Sequence, residues 1–241
     1  MSQLVNPNKS IGVLGGMGPA ATAEFFHLLV KYAQELHGAV QDTDFPAMFI
    51  YNLPLSGFDE TGVCDEELVK TQLVAGIKEL SKFDCGLICI PCNTVHIFFE
   101  EMQAATPVPI VSIVEAVIDE VVLLECGKVG ILSSETTRTT GLYESALTRR
   151  GIEYVSVSEL EQEKINEVIH RVMSGRQDET DISSLLSICA RMEKEGVEAL
   201  VLGCTELPLA FNQKNITLPV VSSLDALAKA VLGRVYGTTP V

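Results

Sequence analysis

Two cysteines, Cys92 and Cys204, stand at equivalent points of this 241-residue chain. Each follows a short apolar run typical of a strand, residues 86–90 in one case and 198–203 in the other. A helical pattern of apolar residues follows Cys92, which therefore lies at a strand-to-helix turn. Free amide groups at a helix start, together with the helix dipole, favour an anionic thiolate over a thiol. The sequence thus predicts two thiols tuned toward neutral pH that could move protons.

The two turns are part of an internal repeat. Residues 11–25 align with 129–143, the segment that leads to Cys92 aligns with 183–206, and the residues from Pro109 align with those from Pro219. The pattern indicates two copies of one α/β unit. We assign residues 1–110 and 219–241 to a first lobe and residues 111–218 to a second. A pseudo-two-fold axis between the copies would bring both cysteines to opposite sides of one cleft.

Composition narrows the class of protein. Hydrophobic residues make up 47% of the chain, which is enough for a substantial core. The formal net charge of -15 argues against nucleic acid or an anionic membrane surface as a partner. The N-terminal residues hold no apolar leader and no run is long enough to span a membrane, so we expect a cytoplasmic protein. Seven scattered cysteines favour reduced thiols over a disulfide framework.

Two loops could bind an anion. Gly15, Gly16 and Gly18 precede a helix that starts near Pro19, and their amides could hold a carboxylate-sized anion, although a turn built for close packing explains them equally well. A dinucleotide site is disfavoured because the second strand ends in Asn52 and not in an acidic residue. The equivalent segment of the second copy, residues 133–140, is rich in hydroxyls that could seat an anion or cap a helix.

The acidic loop of residues 53–65 could be a flap over the cleft or a solvated connection. No lysine or arginine occurs between Lys31 and Lys70, so this part of the chain offers no cationic side chain to a ligand. A substrate with a second carboxylate would then depend on Lys164 and on neutral donors, which discriminate less than a bidentate arginine.

Cys89 and Cys92 form a C-x-x-C pair that allows a thiol-redox interpretation. The repeat opposes it, because Cys89 aligns with Val201 and so occupies an apolar position, whereas Cys92 aligns with Cys204. His96 aligns with Pro208, and we interpret it as structural.

The motifs GGMGPAAT, PCNTVH and GCTE occur in this order and span nearly the whole chain. Together they resemble the aspartate/glutamate racemase family, which works without pyridoxal phosphate. The resemblance implies an α/β fold of two similar Rossmann-like lobes, each a mainly parallel sheet flanked by helices, with the active site in the cleft between them. It also implies catalysis without cofactor or metal and a homodimer.

Carried onto this sequence, the resemblance makes Cys92 and Cys204 the two catalytic bases. The positions that match substrate-holding residues of the family are Met17, Asn52, Asn93, Thr94, Thr137, Lys164 and Thr205. Relatives specific for aspartate carry an arginine soon after the second strand, and Phe58 occupies that position here. This departure predicts looser specificity than in the relatives that have the arginine.

The residues independently suit inversion of a carbon centre, which needs one proton acceptor and one donor on opposite faces of the substrate. We therefore expect a cofactor-independent racemase of a small-molecule amino acid, with aspartate or glutamate the first candidates. The alternatives are an isomerase or decarboxylase that uses the same cleft, a redox protein that uses Cys89 and Cys92, and a non-catalytic anion-binding module.

Overall fold

The computed structural model describes residues 7–59 and 62–237. The strands are β1 (Ile11–Gly15), β2 (Met48–Asn52), β3 (Phe58–Asp59), β4 (Gly62–Val63), β5 (Leu87–Cys89), β6 (Ile110–Val111), β7 (Lys128–Ser133), β8 (Glu153–Val155), β9 (Ala199–Gly203) and β10 (Val220–Ser222). The α-helices are α1 (Pro19–His37), α2 (Glu66–Leu80), α3 (Phe99–Ala104), α4 (Ile113–Leu123), α5 (Glu135–Thr139), α6 (Leu142–Arg149), α7 (Glu159–Met173), α8 (Glu179–Lys194), α9 (Leu207–Ala210) and α10 (Ser223–Tyr236). A short 3₁₀ helix, Thr94–Phe98, precedes α3.

Two four-stranded parallel sheets carry the fold. Their strand orders are β2-β1-β5-β6 and β8-β7-β9-β10, so corresponding strands of the two repeat copies hold corresponding places. The inner strands β1 and β9 are buried along their whole length, which explains their unbroken apolar sequence. The α/β architecture with two similar lobes, expected from the repeat and the resemblance, is confirmed.

Helices cover both sheets and also join the two halves. Helix α10 packs against α1 and α4, and α4 packs against α6. One core cluster combines residues of both halves, including Phe25 from α1 and Tyr143 from α6. None of the helices in the described ranges is both long and apolar enough to cross a membrane.

The last strand corrects one part of the predicted lobe division. Residues 219–241 were assigned to the first lobe, but β10 pairs with β9 in the second sheet. The repeat explains this pairing, because β10 is the equivalent of β6. Strand β6 pairs in the same way with β5, the strand before Cys92. Helix α10, in contrast, packs against α1 of the first half. Residues 1–6 and 238–241 of the predicted first lobe lie outside the described residues.

The acidic loop after β2 contains a small antiparallel hairpin, β3–β4. The hairpin reaches the second half, where the Val63 amide donates to the Thr136 hydroxyl over 3.2 Å. Gly62 has a φ of +130°, and a Cβ added there would lie only 2.0 Å from Thr136 Oγ1. A glycine at this position therefore permits both the backbone conformation and the close approach. We call residues 53–59 and 62–65 the flap.

Candidate active site

A small cavity lies at the carboxyl ends of the inner strands, between the two halves. Cys92 and Cys204 both line it, and both are buried. Cys204 follows directly after β9, and Cys92 comes three residues after β5. Ligand sites of open parallel sheets are typical of this edge. The structure thus brings the two thiols of the repeat to one site.

The cavity is nearly closed in this structure. Its volume, about 20 Å³, has room for roughly one water molecule. Flap residues Phe58 and Asp59 form part of its wall, and Ile169 and Met173 of α7 form another part. An amino acid is much larger than this space, so its entry requires some of these wall residues to move apart.

Short-range contacts fix the Cys92 turn. The Thr94 and Val95 amides point at the Cys92 thiol. His96 Nδ1 lies 2.8 Å from the Cys92 carbonyl oxygen, and His96 Nε2 accepts a hydrogen bond of 3.2 Å from the Ile113 amide. Because Nε2 accepts, Nδ1 carries the hydrogen and donates it to the carbonyl. Burial lowers the pKa of His96 to about 4, so the ring is neutral and its role here is structural.

A carboxylate dominates the surroundings of Cys204. The Cys204 thiol and the Thr205 hydroxyl each donate to Glu206 Oε2 over 3.1 Å. The other carboxylate oxygen, Oε1, accepts a 3.2 Å hydrogen bond from the Gly18 amide. One amide of the glycine-rich loop therefore bonds to a carboxylate of the chain itself, Glu206.

The thiols are less acidic than the helix-start argument predicted. Burial raises the pKa of Cys92 to about 12, although the Thr94 and Val95 amides oppose this shift. Burial also raises the pKa of Cys204 well above its ordinary value, and the charge of Glu206 adds to the effect. The expected tuning toward neutrality is thus wrong for the closed cavity, because desolvation outweighs the amide donors.

Polar side chains on the remaining wall bond mostly to one another. Asn93 donates to the Ser223 hydroxyl over 2.9 Å and accepts a hydrogen bond from the Tyr143 hydroxyl, so its amide joins the two halves. The Thr94 hydroxyl lies 2.8 Å from Ser134 Oγ and 3.3 Å from Thr137 Oγ1. Thr94 and Ser134 line the cavity, whereas Thr137 is buried behind them.

The cavity contains some predicted site residues and leaves out others. Those that line it are Cys92, Cys204, Met17, Asn93, Thr94 and Thr205. Asn52 is exposed at the end of edge strand β2, and Lys164 is exposed on α7, so neither lines the cavity. Phe58 of the flap does line it.

Sequence reasoning did not name Glu206, Ile169 or Met173 as wall residues, and it included Asp59 and Ser134 only as parts of a possible flap and a possible anion seat. The repeat held a signal for Glu206, which aligns with Thr94, itself a predicted site residue. Among the described residues, no lysine, arginine or histidine lines the cavity, while two carboxylates do.

Comparisons with known proteins identify the family of this chain. The Asp/Glu/hydantoin racemase family model matches residues 14–231. The broad specificity amino-acid racemase RacX of Bacillus subtilis (strain 168) is 28% identical over 222 residues, which cover 92% of this chain and 96% of that protein.

Two solved structures are similar over nearly their full length. An aspartate racemase homologue from Pyrococcus horikoshii OT3 superposes with a TM-score of 0.79 at 28% identity, covering 94% of this chain and 99% of that one. The aspartate racemase of Picrophilus torridus superposes with a TM-score of 0.77 at 27% identity, covering 96% of both chains. The chain belongs to the Asp/Glu/hydantoin racemase family. The family expected from the three sequence motifs is therefore confirmed.

Proposed function

We propose that this protein is a cofactor-independent amino-acid racemase in which Cys92 and Cys204 are the two acid–base groups. The observation that carries the proposal is that both thiols, from equivalent turns of the repeat, line one cavity between the halves. Inversion of an α-carbon requires a proton acceptor on one face and a proton donor on the other. A thiol pair from two symmetry-related turns meets that requirement without further groups.

In the proposed reaction, one cysteine thiolate takes the α-hydrogen as a proton and becomes a thiol. The electron pair remains on the α-carbon and spreads into the substrate carboxylate. The other cysteine then gives its thiol proton to the opposite face and becomes the thiolate. The product is the mirror-image amino acid, and the enzyme has exchanged the protonation states of Cys92 and Cys204.

The ammonium group of a bound substrate explains how such weakly acidic thiols can act as bases. In the closed cavity burial holds both pKa values up. A bound amino acid brings an ammonium group into this low-dielectric space, and a nearby positive charge favours the thiolate. The Thr94 and Ser134 hydroxyls are the neutral donors on the wall, and they stabilise the charge that develops on the substrate carboxylate.

The residues of the cavity wall also bear on which amino acids the site would accept. Phe58, Ile169 and Met173 are apolar, and the described wall holds no cationic side chain. The family and its relatives make aspartate and glutamate the first candidates. A second substrate carboxylate, however, would meet no charged donor here and would face Asp59 and Glu206. We therefore propose loose specificity that extends to neutral amino acids.

The alternatives lack comparable support. A redox pair is disfavoured because Cys89 is buried in the core cluster that also holds Val201, and its thiol donates to the Gly12 carbonyl over 3.6 Å. Cys89 does not line the cavity. A decarboxylase or another isomerase would use the same thiols, and only turnover distinguishes it. The homodimer and the cytoplasmic location stay predictions.

The test is loss of optical activity from single enantiomers of aspartate, glutamate, alanine and methionine, with kcat/KM measured for each. We expect racemisation without added cofactor and less than a thousandfold preference for aspartate. Release of CO₂ without racemisation would favour a decarboxylase. Binding without turnover on every substrate would favour the anion-binding module.

A further inference from the structure

The repeat makes the two thiol turns similar, and the contact that separates them most is made by one aligned pair of side chains. Each thiol faces the amide of the residue two positions later, Thr94 for Cys92 and Glu206 for Cys204. Thr94 and Glu206 align in the repeat. The aligned side chains differ, however, because the Thr94 hydroxyl bonds to Ser134 while the Glu206 carboxylate accepts the Cys204 thiol hydrogen.

The contacts of Glu206 are those of an ionised group. The side chain is buried, with 6% of its surface exposed, and its oxygens face three donors, namely the Cys204 thiol, the Thr205 hydroxyl and the Gly18 amide. An ionised carboxylate only accepts hydrogen bonds, so this set of donors suits it.

No positively charged side chain among the described wall residues offsets the negative charge of Glu206. The titratable groups that share the cavity wall with Glu206 are Cys92 and Asp59, in addition to Cys204. All of them are neutral or negative, and the described wall contributes no cation. A thiolate at Cys204 would therefore lie beside a carboxylate at hydrogen-bond distance and lose the bond it now donates. The charge of Glu206 also disfavours a thiolate at Cys92, but that thiolate would keep the Thr94 and Val95 amides and would break no hydrogen bond to the carboxylate.

We propose that Glu206 makes the two thiols unequal, holding Cys204 as the proton donor and leaving Cys92 as the thiol that ionises first and accepts the substrate proton. Glu206 is then a positioning residue that acts through Cys204. This assignment deepens the proposed function, because it states which thiol acts first on the enantiomer that binds the resting enzyme. Burial raises the pKa of Cys204, and the charge of Glu206 and the hydrogen bond to its carboxylate both raise it further, which agrees with the assignment.

The test is alkylation with iodoacetamide at pH 8, with labelling of each cysteine followed by fragment-ion mass spectrometry. In the unmodified protein we expect Cys92 to be labelled faster than Cys204. Glu206→Gln removes the charge and should raise the ratio of Cys204 to Cys92 labelling about tenfold, the factor that one pKa unit gives. The ratio within one molecule compensates for slow opening of the cavity, which affects both thiols.

A control variant is Glu135→Gln, which removes a carboxylate that bonds to Asn166 and does not line the cavity. It should leave the labelling ratio unchanged. Glu206→Thr places the residue of the first copy at the equivalent position and should act as Glu206→Gln does. Should neither Glu206 variant fold, the labelling order in the unmodified protein decides alone.

Kinetics give a second readout. The equilibrium constant of a racemisation is one, so kcat/KM is equal in both directions, but KM and kcat can differ between the enantiomers. Unequal thiols predict different KM values for the two enantiomers, and Glu206→Gln should reduce that difference. Equal labelling of Cys92 and Cys204 in the unmodified protein, or an unchanged ratio in a folded Glu206→Gln variant, would overturn the assignment. The expected labelling in a protein that racemises nothing would refute the proposed function alone.

Discussion

The first copy of the repeat holds its cysteine through backbone contacts, whereas the second holds it through a carboxylate. At Cys92 two amides face the sulfur and the His96 ring fixes the carbonyl oxygen. At Cys204 the sulfur donates to Glu206, and Pro208 takes the place that His96 has in the first copy. Duplication thus provided two similar turns, and the differences between them provide two unlike acid–base groups in one cavity.

The largest expected effect comes from removing either thiol. Cys92→Ser and Cys204→Ser should each lower kcat about a thousandfold or more, because a serine hydroxyl is too weakly acidic to act as a base near neutral pH. The measurement is racemisation of a good substrate, with circular dichroism to verify the fold. Substantial activity in either variant would show that the two thiols are not paired as proposed.

The flap connects the two halves at Gly62, and its disruption should have the next largest effect. In Gly62→Ala the new methyl group would clash with Thr136 and the backbone would be strained, so the flap should leave helix α5. We expect kcat/KM to fall about tenfold to a hundredfold, the size of effect that misplaced closure elements have.

Gly38→Ala is the matched control. Gly38 also has a positive φ, +71°, but a Cβ added there would meet no atom of the described residues within 4 Å. This variant should lose a comparable amount of backbone stability and retain kcat/KM. Equal losses of kcat/KM in both variants would show that the flap contact has no part in turnover.

The histidine of the first copy should make the protein sensitive to acid. Burial lowers the pKa of His96 from 6.5 to about 4, so the neutral ring stabilises the fold above pH 6.5, and this stability is lost as the pH falls toward 4. The full effect is about 3 kcal/mol at 1.36 kcal/mol per pKa unit. The free energy of unfolding, measured with urea at pH 7 and at pH 4.5, should fall less in His96→Gln than in the unmodified protein. An equal fall in both proteins would contradict the stabilising role of the neutral His96 ring.

The smallest effect is expected at the other cysteine of the C-x-x-C pair. Cys89→Val introduces the residue that the second copy has at the equivalent position, Val201, within the same core cluster. Racemisation should change less than about twofold and stability by less than about 1.5 kcal/mol, as for other volume-conserving core substitutions. Loss of activity with the fold intact would revive the redox interpretation.

Local sequence patterns predicted the elements that carry the thiols. The repeat located the inner strands, and Pro19 marked the first residue of α1. After Cys92, however, the apolar pattern of one continuous helix begins as a 3₁₀ turn, where the His96 side chain links the Cys92 carbonyl to the Ile113 amide. Such a contact between distant residues leaves no periodic signal.

The parts of the site that sequence did not predict depend on the three-dimensional surroundings. Burial reversed the expected direction of the thiol pKa shifts, and residues of the flap and of α7 form part of the wall around the buried thiols. A lysine is a residue type that binds carboxylates, but the Lys164 side chain is exposed on α7, whereas Ile169 and Met173 of the same helix line the cavity. Motifs therefore indicated which residues come together, and packing decided their protonation.

The proposed mechanism requires Cys92 and Cys204 to act on opposite faces of one substrate. The most direct test is racemisation of a single enantiomer in D₂O, stopped at low conversion, with deuterium at the α-carbon measured separately in the product and in the recovered substrate. Two bases on opposite faces predict deuterium in nearly all of the product and little in the recovered substrate, because the face that loses a proton is not the face that gains one. Equal deuterium in both enantiomers from the earliest times would mean that one base serves both faces, and it would contradict the two-thiol mechanism.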